Sequence, residues 1–317
     1  MTGRIVAGQV ARAGGGAVGK GGGLAFGARG LAGYSKRGGD TWDAKHRPAF
    51  VGSFAELGRS WGAPIGDRDT PDFWEVELPA LMRGLVAGLH DGQRFDSVIV
   101  DEGQDFADSW WAPTMGALKD QETGGLFVYS DENQRISHRY GAPPVPLVPL
   151  ILDHNLRNTR QIAETFNPLA PMRMLLVGGE GPEVEFVRSA ATDAIETADA
   201  QVNRLLAAGW KSQEVMLLTT GTRHPVQLER GSKSDPEAYW RALWEEDEVF
   251  YGEALGCKGL ERRAVVLCVN EDNASDWSRE RLYVGLSRAT DQLIVVGDPG
   301  VVAQMGGMEV ATCLGIW

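Results

Sequence analysis

Three acids fall within the five residues Asp101-Glu102-Gly103-Gln104-Asp105, directly after the apolar run Val98-Ile99-Val100. A short, unbroken Val/Ile run reads as a strand buried on both faces of a parallel sheet. Ligands of open α/β sheets sit just outside the carboxyl ends of such strands. Asp101 and Glu102 are thereby delivered to a crevice. Adjacent carboxylates there suit Mg²⁺ and an attacking water. A solvated acidic turn after a strand is the plainer alternative.

Four more groups follow downstream. The segment Tyr129-Ser130-Asp131-Glu132-Asn133-Gln134-Arg135 also closes an apolar run. The Gln134 amide donates and accepts, so it can contact a terminal phosphate or its water; it is equally a polar turn. In Leu152-Asp153-His154-Asn155-Leu156-Arg157-Asn158-Thr159, Arg157 offers a planar fork to phosphate oxygens. Asn158 or Thr159 can simply cap a helix, and His154 reads as structural. In Lys258-Gly259-Leu260-Glu261, Gly259 permits close backbone approach and Glu261 can accept hydrogen bonds from a ribose; a charged turn fits as well. In Arg281-Leu282-Tyr283-Val284-Gly285-Leu286-Ser287-Arg288-Ala289, Leu282, Leu286 and Ala289 share a helical face while Arg288 projects near the end. An arginine finger so placed contributes roughly 10³–10⁵ to phosphoryl-transfer rates, and an exposed helix arginine is the alternative.

These residues need a scaffold of alternating strands and helices. Helical spacing of Leu78, Leu81, Met82, Leu85 and Leu89 predicts a helix over 78–89, and Trp110, Trp111 and Leu118 suggest the next. Strands are expected at 126–129, 184–187, 215–219, 264–269 and 292–296, with helices from about Thr159, over 192–208 and over 279–289. Alternating βα units mean parallel sheets with flanking helices. The proline-rich stretch Gly141–Pro149 reads as an extended connector, and a second composition break falls at Leu169–Pro182. Residues 1–45 carry the runs Gly14-Gly15-Gly16 and Gly21-Gly22-Gly23 and resemble a linker more than a core. Order is expected to begin near Ala49. The domains are thus a glycine-rich segment 1–45, a first α/β domain 46–150 and a second 151–317. Tyr239, Trp240 and Trp244 form either a base-stacking platform or core.

The 317 residues are 43% hydrophobic and 23% charged, ordinary globular values. With a formal net charge of −12, nucleic acid cannot be held by net charge, so any such site must be a local basic groove. Cys257, Cys268 and Cys313 are scattered and odd in number, against a disulfide framework or a zinc site and in keeping with a reducing cytoplasm. No apolar run reaches the ~20 residues that span a bilayer, and no signal peptide is legible.

In this order and at these spacings the motifs resemble superfamily 1 DNA helicases of the UvrD/Rep type, and most of all the compact group often fused to nuclease-related (NERD) domains. The resemblance covers about residues 50–317. It implies a P-loop NTPase fold of two RecA-like domains. It also implies coupling of ATP hydrolysis to movement along single-stranded DNA. Asp101 would then hold Mg²⁺ in a Walker-B strand and Glu102 would activate water. Gln134 would sense the γ-phosphate, Arg157 and Arg288 would clamp it, and Gly259 and Glu261 would touch nucleotide. Val51-Gly52-Ser53-Phe54 looks like a degraded form of the family's Thr-Phe element near DNA.

The family's P-loop, Gly-x-x-x-x-Gly-Lys-Ser/Thr, has one candidate, Gly14-Gly15-Gly16-Ala17-Val18-Gly19-Lys20-Gly21. There Gly21 replaces the hydroxyl that ligates Mg²⁺. The segment preceding it, Ile5-Val6-Ala7, is a poor strand, and no amphipathic helix follows. Either the true P-loop lies upstream of Met1, with or without a further domain, or residues 1–45 come from a shifted reading frame. Leu156 stands where many relatives stack an aromatic ring on adenine. The interval from Glu102 to Arg288 is too short for the insertions that manage a duplex. Two classes of function follow: the motor core of a DNA-dependent ATPase, or a silent remnant with at most weak nucleotide or DNA binding. A metal-dependent hydrolase using Asp101, Glu102 and Asp105 would leave Arg157 and Arg288 without a role.

Overall fold

The computed structural model describes residues 23–26, 49–64, 72–101, 103–131, 143–232, 239–240, 242–243 and 247–316, with the backbone alone for 23–26 and 232. The chain divides into two compact units, Met1–Pro149 and Leu150–Trp317.

Unit 1 holds a four-stranded parallel sheet in the order β2-β1-β3-β4. Its strands are β1 (Gly23–Phe26), β2 (Phe50–Gly52), β3 (Ser97–Val100) and β4 (Gly125–Val128). Helix α1 (Phe54–Ser60) starts at a capping box, in which Ser53 Oγ accepts from Glu56 N and Glu56 Oε2 accepts from Ser53 N. Helix α2 (Leu78–Ala87) continues from a single π-helical turn, Phe73–Glu77, and stops before Gly88. Helix α3 spans Asp108–Gly116; Leu118, expected within it, instead bridges Phe95. Val98 and Val100 on one face and Ile99 on the other are all buried, as a strand covered on both faces requires. Aromatic rings fill the core. Phe54 stacks on Trp110 at 4.5 Å, and Phe106 meets Trp110 edge-on at 5.1 Å.

Strand β1 lies in the segment expected to precede the ordered chain. It pairs with β3 on one side and β2 on the other. An interior position lets neighbours satisfy its backbone groups on both edges, so few large side chains are needed.

Unit 2 holds five parallel strands in the order β7-β11-β10-β8-β9. These are β7 (Glu185–Arg188), β8 (Val215–Thr219), β9 (Phe250–Glu253), β10 (Arg262–Val269) and β11 (Ala289–Gly297). A two-residue parallel pair, β5 (His154–Asn155) with β6 (Leu175–Leu176), stands apart from them. Helices are α4 (Arg160–Phe166), α5 (Ala194–Ala207), α6 (Pro225–Ser232), α7 (Ser278–Leu286) and α8 (Pro299–Cys313). From α5, Ala194, Ala198, Val202 and Leu205 pack on Val215, Leu217, Val266, Ile294 and Val296.

Helix α7 ends three residues earlier than expected, because Ala289 already opens β11. Strand β9 and helix α8 have no periodic signature in the sequence. In α8, Gly307 adopts φ 78° and kinks the helix, which breaks the apolar repeat.

Candidate functional site

In unit 1, Asp101 follows the last residue of β3 and is half-buried at the carboxyl edge of the sheet. The chain then turns back on β4. Tyr129 N donates to Val100 O at 2.8 Å and Gly103 N to Tyr129 O at 2.8 Å. Buried Gln104 completes the tie, its Oε1 accepting from Asp131 N at 2.9 Å and from Ser130 Oγ at 3.2 Å. The loops after β3 and β4 are thus one hydrogen-bonded assembly, and Gln104 joins them. No spacing in the sequence marks that role. Glu102, Gln134 and Lys20 lie outside the described residues. Among the described residues, no three His, Cys, Asp or Glu side chains gather into a group that could hold a metal. Asp101 would need ligands from outside that set to hold Mg²⁺.

The segment likened to a Thr-Phe element has clear structural contacts. Ser53 caps α1, and Phe54 is buried in the aromatic core.

In unit 2 three segments far apart in sequence converge. Arg157 Nη1 pairs with Glu261 Oε1 at 2.5 Å, with Arg157 57% and Glu261 30% exposed. Arg262 N donates to Arg288 O at 3.1 Å. Arg288 Nη1 donates to Leu260 O at 3.4 Å, its Nε to Val284 O at 3.0 Å and its Nη2 to Ser287 Oγ at 2.7 Å. Asn158 Nδ2 donates to Ala289 O at 2.6 Å, and Thr159 N to Thr290 O at 3.0 Å. Arg157, Gly259, Glu261 and Arg288 therefore belong to one constellation.

The constellation precedes β10 and β11, which run parallel, so it lies at the amino-terminal edge of this sheet. Asp101 of unit 1 sits at a carboxyl edge; these residues do not. Gly259 has φ 68°, a left-handed backbone that costs other L-residues about 1–2 kcal/mol. The register of β10 against β11 shifts between Arg262 and Ala264, an irregularity of the kind that re-aims side chains beside sites.

Arg288 does not project from a helix end. It follows the cap residue Ser287 and is 1% exposed, beneath the loop that carries Glu261. Lys258 is equally buried. Beside them, burial pushes the Cys257 thiol up to about 12, while the Arg288 charge pulls the other way. Burial also lowers the Arg262 guanidinium from its ordinary value, which still leaves it a cation.

The expected helix cap is corrected as well. Thr159 occupies the N-cap position of α4, but its side chain makes no capping bond, and the Asn158 side chain reaches Ser287 and Ala289 instead. The Gly/Pro-rich stretch after α4, read as a composition break, is packed onto the Arg157 loop. Arg160 N donates to Gly179 O and Val177 N to Asn155 O. Tyr239 and Trp240 are packing residues. Tyr239 Oη donates to Tyr251 O at 3.0 Å, and Trp240 stacks on Phe250; Trp244 lies outside the described residues.

No family model matches the chain, and no curated protein matches it. Among solved structures, it is similar to the C-terminal domain of a possible DNA helicase from Lactobacillus plantarum WCFS1, with a TM-score of 0.31 and 17% identity. That match covers 48% of this chain and 95% of the other. Among the described residues no helix is long and apolar enough to cross a membrane.

Proposed function

We propose that this chain is the motor core of a superfamily 1 DNA helicase or translocase of the UvrD/Rep type, with two RecA-like P-loop NTPase domains. It would work in the cytoplasm, with ATP and Mg²⁺ as cofactors and single-stranded DNA as partner. The observation that carries the reading is the convergence of Arg157, Gly259-Leu260-Glu261 and Arg288 in unit 2. Arg157 and Glu261 remain partly exposed where these segments meet, above the buried Arg288. A forked, exposed guanidinium beside a left-handed glycine loop suits a phosphate chain and its ribose.

In this reading Arg157 exchanges Glu261 for phosphate oxygens. The exchange is easy because an exposed ion pair contributes only about 0–1 kcal/mol. Glu261, once released, accepts hydrogen bonds from a ribose. Arg288 holds the Leu260 carbonyl and places positive charge beneath the loop, and Gln134 senses the terminal phosphate. In unit 1, Asp101 orients Mg²⁺, and Glu102 takes the proton of the attacking water. ATP supplies the phosphoanhydride bond whose hydrolysis drives movement.

A second reading, a silent remnant, is favoured by β1. A P-loop needs a strand before it and a helix after it. Here a strand begins at Gly23, two residues beyond Gly21 of the Lys20 candidate.

One experiment separates the readings. ATP turnover by the purified chain is measured with Mg²⁺, with and without single-stranded DNA. Stimulated turnover, lost in Glu102→Gln and reduced at least tenfold in Arg157→Ala (about 1.4 kcal/mol), supports the motor. Failure to bind millimolar ATP supports the remnant.

A further inference from the structure

We infer that Asn158 is a positioning residue for Arg157, an assignment that rests on the proposed role of Arg157 as a phosphate ligand. Asn158 is 4% exposed, and the hydrogen bonds of its carboxamide run to neighbouring protein groups. Its carboxamide stands between two structures that must be held in register. On one side Nδ2 donates to Ala289 O at 2.6 Å and to Ser287 O at 3.3 Å. Both partners are backbone carbonyls, which only accept, so the orientation of the amide is fixed. On the other side Oδ1 accepts from Asn155 Nδ2 at 2.9 Å. That bond orients the Asn155 side chain, whose Oδ1 then accepts from Arg157 N at 3.0 Å and Asn158 N at 3.2 Å.

The result is a relay from the Ser287–Ala289 turn, through two carboxamides, to the backbone nitrogen of Arg157. The relay sets where the Arg157 fork stands relative to Glu261 and Arg288. Only a side chain with a donor face and an acceptor face, at asparagine length, completes it. Aspartate has the right shape but sets an oxygen against two carbonyl oxygens. The Arg157 backbone then loses its register while the guanidinium itself remains.

A double-mutant cycle on ATP affinity tests this, using the full chain with Mg²⁺. The proteins are unaltered, Asn158→Asp, Arg157→Ala and the double variant. Asn158→Asp is expected to weaken ATP binding about tenfold in the unaltered background and to have no further effect once Arg157 is alanine. Equal weakening in both backgrounds would mean a merely structural role and would overturn the assignment, as would unaltered affinity in Asn158→Asp. If circular dichroism shows that Asn158→Asp does not fold, Asn158→Ser, which keeps one donor, takes its place under the same criteria. If the unaltered chain does not bind ATP, the proposed function fails and the positioning role fails with it. Binding that is indifferent to Asn158 removes the positioning role alone.

Discussion

At the scale of single residues, burial separates two cations of the same chemical type. Arg288 and Arg157 look alike in a sequence, each a cation beside a short polar residue. The fold buries one and leaves the other 57% exposed. Accessibility depends on what the rest of the chain places above a side chain, and no local pattern encodes that. The cysteines illustrate the same point. Burial pushes Cys257 and Cys268 each up to about 12, whereas Cys313 is exposed, its thiol raised by the burial it does have. Thiolates are the reactive form. In the native protein at pH 8, iodoacetamide should label Cys313 alone, and all three after denaturation; native labelling of Cys257 would show that the loop before β10 opens. Both buried thiols have folded pKa values above the unfolded one. Their contribution to stability is therefore complete below about 8.5 and is lost as the pH rises toward 12.

At the scale of elements, apolar runs located β3, β8, β10 and β11 because strand burial is written directly in local hydrophobicity. The failures came where a glycine mattered for space and not for flexibility. Gly178, within a stretch read as a break, lies against the Arg157 loop so closely that an added Cβ would stand 2.0 Å from Asn158 O. Backbone cannot yield there as a flexible side chain would. Gly178→Ala should cost about 1–3 kcal/mol, as overpacking does, and should displace residues 155–159. Chemical denaturation measures the first and a crystal structure of the variant the second. A variant as stable as the parent, with its loop in place, would show that the glycine is incidental. The shortened α7 has a comparable origin. A helical repeat continues through Ala289, but pairing with β10 claims that residue for a strand, and tertiary pairing overrides local propensity.

At the scale of the whole molecule, each unit has its own sheet and its own buried cluster. The proline-rich stretch 143–149 carries no regular element where it is described, and Val148, Leu150, Ile151 and Leu152 are each at least 72% exposed. Exposed apolar residues on irregular backbone are preferred sites of proteolysis. Within the described residues, brief chymotrypsin treatment should cut first between 147 and 152. The fragment ending at Trp317 should keep a cooperative thermal transition, because its sheet and α5 form a core of their own. First cuts inside β10 or β11, or a fragment without a transition, would contradict an independent core.

The sequence by itself determined the parallel α/β class, the placement of most strands and the chemical types of the candidate side chains. Those are local properties, carried by apolar runs and by residue type. Only the tertiary structure decided that Arg157, Glu261 and Arg288 share one edge of one sheet, that Arg288 is buried, that Asn158 joins segments 131 residues apart, and that Gly23–Phe26 is an interior strand. Each of these depends on contacts between distant segments. A hydrogen bond across such a separation leaves no periodic trace in the chain that makes it.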